Sequence, residues 1–83
     1  MAKGYSIRKT INYSRKPSGE WRSHSMSILD PNNPRKTLLF ATIEEAEAEA
    51  RRRMALITDP DEEGFWQYAR IYQGKELIKT IER

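Results

Sequence analysis

The segment from Thr42 to Ile57 constrains the fold most, because it is patterned as an amphipathic helix. Thr42 and Glu45 have the spacing of a capping box, in which a hydroxyl and a carboxylate satisfy free backbone amides at a helix start. A helix with one apolar face needs a second layer to cover that face, so we expect it to pack on a sheet. The apolar residues fall within roughly 80° of arc, which is one face; they are Ile43, Ala46, Ala50, Met54 and Ile57.

The charged residues of this helix are graded from acidic to basic, which suits the helix dipole. Glu47 and Arg51, and likewise Glu49 and Arg53, are one turn apart with the glutamate first, so each couple is predicted to form an ion pair. We therefore interpret the run 51–53 as a structural feature rather than an anion-binding cluster.

The N-terminal half is patterned as strands separated by turns. Residues 5–13 alternate between apolar and polar side chains, as a half-buried strand does. The turn-forming residues 14–19 lead into a returning strand at 21–29. The proline- and Asx-rich residues 30–34 are predicted to be a loop, and residues 37–40 a short third strand.

Two further strands are predicted after the helix, over residues 65–72 and 75–82, joined by a hairpin turn at Gln73-Gly74. This register places Trp66 opposite Ile81 and Tyr68 opposite Lys79. The prediction is an α+β fold in a single domain over residues 1–83. Its antiparallel sheet carries one packed amphipathic helix, the element order is β-β-β-α-β-β, and residues 1–4 are expected to be disordered.

The net charge of +3 conceals an uneven distribution. Residues 1–41 carry eight basic and two acidic residues, a net charge of +6, whereas residues 42–83 carry seven basic and ten acidic residues, a net charge of −3. A basic half indicates a polyanionic partner. The alternative is ordinary solubilising charge on exposed strands.

The composition excludes several classes of protein. The chain has no cysteine, which excludes disulfides, thiol catalysis and cysteine zinc sites. It has no apolar run of the ~20 residues that span a membrane, so we expect no membrane partner and a cytoplasmic location. No nucleotide-binding or hydrolase motif occurs, and the single histidine, His24, has no evident catalytic partner. We therefore expect a non-enzymatic protein without a cofactor.

An acidic stretch, Asp59 to Gly64, resembles the first half of a calcium-binding loop. Such a loop needs a bidentate carboxylate at its twelfth position, and Arg70 stands there. We expect an acidic turn and no metal site.

Two surfaces of the predicted sheet are candidate binding sites. The first is the N-terminal hairpin, whose basic and small polar side chains suit a β-ribbon that contacts base edges and phosphates. A solvated sheet face is the alternative. Its candidate nucleic-acid-binding residues are Arg8, Thr10, Asn12, Arg15, Lys16, Arg22, Ser23 and Ser25.

The second surface is an alternation of aromatic and cationic residues in the C-terminal hairpin. Such a pattern is typical of a platform on which single-stranded bases stack. The alternative is that these aromatic residues form the core. The candidate platform comprises Trp66, Tyr68, Arg70, Tyr72, Lys75 and Lys79.

Residues 21–57 resemble the β-β-β-α N-terminal domains of tyrosine recombinases that bind arm-type DNA sites. The matching residues are Gly19-Glu20-Trp21 and Phe40 to Ala46, which follow that family's G-x-W and F-x-T-x-x-E-A phrases. The resemblance implies DNA contact through the exposed face of a three-stranded sheet. The hairpin at 65–82 has no counterpart in that pattern, and no catalytic recombinase domain is present, so we expect no recombination activity.

Together these observations favour a small binding module with DNA or RNA as its partner. The alternative is an accessory or regulatory subunit that docks on a larger protein through the aromatic surface.

Overall fold

The computed structural model describes residues 4–83. One helix packs on an antiparallel sheet, which confirms the predicted α+β class and the placement of the helix before the C-terminal hairpin. The four-stranded sheet has the order β2-β1-β5-β6, and β3 and β4 form a separate two-stranded sheet. The elements are β1 (Tyr5–Arg15), β2 (Trp21–Ser27), β3 (Leu29–Asp30), β4 (Asn33–Thr37), α1 (Ile43–Met54), β5 (Trp66–Gln73) and β6 (Glu76–Glu82).

Helix α1 begins as predicted, because the Thr42 hydroxyl accepts a hydrogen bond from the Glu45 amide at 3.1 Å. The predicted ion pairs form as well, from Glu47 to Arg51 at 3.0 Å and from Glu49 to Arg53 at 2.9 Å. Within residues 4–83, the helix lacks the length and apolar character needed to cross a membrane.

The helix ends at Met54, three residues before the predicted end at Ile57. The Arg83 guanidinium donates hydrogen bonds to the carbonyls of Met54 at 2.7 Å and Ile57 at 3.0 Å. Carbonyl groups at or beyond the end of a helix have no donor within the helix, and these bonds from Arg83 satisfy two of them. Burial lowers the pKa of Arg83.

We call the face of the four-stranded sheet that packs against α1 the inner face, and the opposite one the outer face. On the inner face Ile7 lies opposite Ile71, and Ile81 lies opposite Ala69. Ile7, Ile71 and Ile81 are completely buried, as are Ala46 and Ala50 of the helix. The small alanine side chains allow the helix to approach the sheet closely, so the core is one thin layer.

The segment between β2 and α1 differs from the prediction. Residues 33–37 pair with β3 in the separate sheet. Of the predicted strand at 37–40, Thr37 pairs with Leu29 in that sheet and Phe40 forms a single bridge with Tyr5. The predicted loop is shorter, because only Pro31 and Asn32 form the turn. On the side of β1 away from β2, the neighbouring strand is β5 rather than the third strand along the chain.

The start of the described chain is also packed. A Cβ atom on Gly4 would lie 2.7 Å from the Leu39 Cβ, so this close approach requires glycine. The prediction of disorder covered residues 1–4, and residues 1–3 lie outside the described residues.

The register of the C-terminal hairpin also differs. The two-residue turn is Gly74-Lys75, and Gln73 pairs with Glu76. Gly74 has a φ of 63°, and no described non-glycine residue has a positive φ, which fits a type II′ turn with glycine in its first central position. The glycine thus sets the register one residue later than predicted.

Three irregularities in the pairing of the four-stranded sheet change which side chains share a face. Each inserts one extra residue in a strand: Tyr13 in β1, Gln67 in β5 and Ile78 in β6. A bulge reverses the alternation beyond it. As a result Trp66, directly before the β5 bulge, lies opposite Ile11 on the inner face.

Candidate nucleic-acid interface

The outer face of the sheet carries most of the residues predicted from both surfaces. Strand β1 pairs with β2 on one side and with β5 on the other, so Arg8 lies between Ser27 and Arg70. One row along, Thr10 lies between Ser25 and Tyr68. The two predicted surfaces are therefore halves of a single face, and no helix among residues 4–83 covers it.

Two arginines face each other at the centre of the outer face. Arg8 and Arg70 are direct cross-strand neighbours, and both are exposed. Within residues 4–83, neither forms an ion pair with a carboxylate. Like charges directly opposite each other weaken a sheet. The pair therefore creates a centre of positive charge, and a bound anion would reduce the repulsion between the two arginines.

The arginines make other contacts that fix their direction. The Arg8 guanidinium donates to the Ser25 carbonyl at 3.3 Å. The Arg70 guanidinium lies 5.1 Å from the centroid of the Tyr68 ring, which is a cation–π contact. The exposed Thr80 lies opposite Arg70 on β6 and the half-buried Ser27 lies opposite Arg8 on β2, so hydroxyl-bearing residues flank the arginine pair on both sides.

A shallow depression lies at the end of the outer face next to the β5–β6 turn. Its volume is about 300 Å³. It combines one aromatic ring with two cations and two serine hydroxyl groups, which are groups suited to a phosphorylated ligand. The lining residues are Ser6, Arg8, Ser27, Tyr72, Gly74 and Lys75.

The opposite end of the outer face is closed, which corrects the expected exposure of Asn12. Asn12 is only 2% exposed. Its amide nitrogen donates to the carbonyls of Pro60 at 2.8 Å and Glu62 at 3.1 Å, and its oxygen accepts from Gln67 at 2.8 Å. The loop after the helix folds over this end of β1, so Asn12 anchors the loop and is not free for a ligand.

The neighbouring hydroxyls are engaged as well. Thr10 is 7% exposed, contrary to its expected exposure, and its hydroxyl lies 2.8 Å from that of Ser25. The Ser23 hydroxyl accepts from Gln67 at 2.7 Å. Ser23 and Ser25 are exposed, as expected, but their hydroxyls also organise this end of the sheet.

The hairpin tip makes a second contact with the same loop. The Arg15 guanidinium pairs with the Asp61 carboxylate and lies 4.4 Å from the centroid of the Trp21 ring. The hydrogen bond from Arg15 lowers the pKa of Asp61, and a second from Trp21 lowers it further. Arg15 therefore joins the hairpin to the loop rather than remaining free for phosphate.

The other two basic residues predicted in this hairpin stay exposed but lie apart from the arginine pair. The Lys16 ammonium lies 3.9 Å from the Glu20 carboxylate at the tip. Arg22 precedes Ser23 in β2, and because side chains alternate along a strand it lies on the inner side.

Two members of the predicted aromatic platform lie on the inner face. Trp66 is 6% exposed and belongs to the core. Lys79 lies opposite Ile71, and its ammonium contacts the Glu47 carboxylate of the helix at 2.6 Å. That hydrogen bond is the main cause that lowers the pKa of Glu47. Tyr68, Arg70 and Tyr72 remain on the outer face.

The acidic and histidine side chains of the described residues do not assemble into a metal site. Within residues 4–83, no group of three or more acidic or histidine side chains could hold a metal ion. His24 is exposed, and its ring centroid lies 5.2 Å from that of Tyr13.

The structure adds Ser6, Ser27 and Thr80 to the candidate site. The first two follow the polar alternation that had already placed Arg8, and could have been found by extending it. Thr80 depends on the hairpin register, which the sequence pattern did not give correctly.

No protein-family model matches this chain, and no curated protein or solved structure is significantly similar to it.

Proposed function

We propose that this protein is a small non-enzymatic module that binds nucleic acid through the outer face of its sheet. The observation that carries the proposal is the exposed Arg8–Arg70 pair, which has no carboxylate partner among the described residues. Phosphate groups would neutralise both guanidinium groups and remove their mutual repulsion. The absence of cysteine is compatible with a reducing compartment, so we place the protein in the cytoplasm.

The residues around the pair suit the same ligand. Hydroxyl groups, backbone amides and basic side chains make most protein contacts to phosphate and sugar, and Ser27 and Thr80 flank the arginines. The resemblance to arm-type DNA-binding domains supports the proposal too, because it implies contact through an exposed sheet face.

The proposal is tested by fluorescence anisotropy with labelled oligonucleotides at several salt concentrations. Binding should weaken steeply with salt, and the doubly substituted Arg8→Ala/Arg70→Ala protein should lose affinity and reduce the salt slope by about one per lost phosphate contact. The control is Arg35→Ala/Lys36→Ala, which removes the same charge from exposed positions of β4. An equal loss of affinity in the control, or binding that is insensitive to salt, would contradict the proposal.

A protein partner is the second candidate, favoured by one apolar contact on the outer face. Leu77 lies opposite Tyr72 and is 49% exposed. Burial of Trp66 removes the largest anchor expected for such a partner. If this candidate is correct, a partner isolated with the protein should be lost in Leu77→Asp at any salt concentration and retained in Arg8→Ala/Arg70→Ala.

A further inference from the structure

We infer that the bound nucleic acid is single-stranded, and that one unpaired nucleotide occupies the depression beside Tyr72, its base on the Tyr72 ring and its phosphate between Arg8 and Lys75. This inference rests on the proposed function and specifies its ligand.

The size of the depression matches a small ligand. Its volume of about 300 Å³ is at the lower end of the range for small-molecule sites. Strand β1 and the Gly74-Lys75 turn contribute to its lining, so it has chemical groups on more than one side. A site of this kind holds a single nucleotide, whereas a duplex would need an extended groove or ridge.

The two tyrosines of the outer face differ in their availability for stacking. The Tyr68 ring already carries the Arg70 guanidinium. Within residues 4–83, no cation stacks on the Tyr72 ring, which lines the depression. Its cross-strand neighbours, Ser6 and Leu77, are not aromatic. Tyr72 is therefore the ring on which a base can stack.

Charge at the depression favours a phosphate next to that base. Arg8 and Lys75 both line the depression, and neither forms an ion pair within residues 4–83. The acidic residue of β6 on the outer face, Glu82, lies opposite Tyr68, farther from the turn. Positive charge is thus concentrated where the stacked nucleotide would carry its negative charge.

A duplex cannot use this arrangement, because the faces of its bases are already stacked on one another. Single strands offer unstacked bases to aromatic side chains, and such contacts depend little on sequence. The combination of one free ring with adjacent cations therefore distinguishes single strands from duplexes.

The test compares a labelled mixed-sequence single strand with its blunt-ended duplex at the same salt concentration. The wild type should bind the single strand more tightly. Tyr72→Leu should weaken single-strand binding by about fivefold or more, Tyr72→Phe should retain it, and duplex binding should not respond to either. Tyr13→Leu is the matched control, because Tyr13 is an exposed tyrosine outside the depression.

A second measurement does not depend on how well the variants fold. Irradiation of the wild-type protein with a single strand containing 5-iodouracil should give a cross-link at Tyr72, identified by mass spectrometry. Two results would overturn the inference and leave the proposed function in place. One is that the wild type binds single strand and duplex with equal affinity and that Tyr72→Leu does not change either affinity. The other is that cross-links form only outside the depression. If the wild type shows no salt-dependent binding of nucleic acid, the proposed function itself is overturned.

Discussion

The two faces of the four-stranded sheet are built from the same strands but show opposite properties. Ile7 and Ile71 are paired and completely buried on the inner face, while Arg8 and Arg70, each the adjacent residue in its strand, are paired and exposed on the outer face. The inner pair gains from removal of apolar surface from water, whereas the outer pair brings like charges together. The comparison teaches that one face holds the fold together and the other is available for a ligand.

The outer face itself is divided into a closed end and an open end. At the closed end, Asn12 and Arg15 connect the sheet to the loop after the helix. At the open end, Tyr72 and Lys75 line the depression and no loop among the described residues covers them. Polar residues of the outer face thus stabilise the fold at one end and, we propose, bind the ligand at the other.

The largest expected effect comes from the inner face. Ile71→Ala should lower the free energy of unfolding by about 2–5 kcal/mol, because it leaves a cavity in a thin core. Chemical denaturation measures the change. Thr80→Ala, at an exposed outer position, should change it by no more than about 0.5 kcal/mol. Similar losses in the two variants would contradict the division between the faces.

The next effect tests the closed end of the outer face. Asn12→Ala should cost about 1–3 kcal/mol in the free energy of unfolding, since it removes the hydrogen bonds that this buried side chain makes to Pro60, Glu62 and Gln67. Asn32→Ala in the exposed β3–β4 turn is the control and should be near neutral. A near-neutral Asn12→Ala variant with reduced affinity for nucleic acid would instead assign Asn12 to the binding surface.

A smaller effect, dependent on pH, is expected on the helix that covers the inner face. Hydrogen bonds from Arg52, and then Arg53, lower the pKa of Glu49 to about 2 from its ordinary value of 4.5. Because folding lowers this pKa, its stabilisation is complete above the ordinary value and is lost as the pH falls towards about 2. Glu49→Gln should lower the free energy of unfolding by about 0.5–1 kcal/mol at neutral pH.

Denaturation at a series of pH values measures this difference, which should shrink with acidification. Glu63→Gln, in the exposed loop, is the control and should show no such trend. A constant difference between the Glu49 variant and the wild type across the acidic range would show that the ion pairs are not its cause.

The smallest effect on stability is expected at the arginine pair. Arg70→Thr should leave the free energy of unfolding unchanged or raise it by up to about 0.5 kcal/mol, because it removes a like-charge contact and places a good strand former there. Thermal denaturation of Arg70→Thr and of the control Arg35→Thr measures the difference. A loss above about 1 kcal/mol would mean that Arg70 holds the sheet together.

The local pattern of the sequence was sufficient for the helix and for the fold class. Thr42, the alanine stripe and the order of charges specify α1 through contacts within a few residues, so its start and its ion pairs could be predicted. Its end could not, because Arg83, distant in sequence, supplies hydrogen bonds there.

The candidate site depended on long-range pairing, which alternation within a strand does not reveal. The pairing of β1 with β5 joins two surfaces that lie far apart in the sequence. The extra residue Gln67 moved Trp66 to the core, and the extra residue Ile78 moved Lys79 to the helix side. Burial of Asn12 required the loop after the helix, whose path is not encoded in β1.

The central claim is that the outer face binds nucleic acid, and NMR chemical-shift mapping with a single-stranded oligonucleotide tests it most directly. The account predicts that amide shifts change in β1, β2 and β5 around Arg8 and Arg70 and in the Gly74-Lys75 turn, while α1 stays unchanged. Shift changes concentrated in α1 or in the β3–β4 hairpin, or none at low salt, would contradict it.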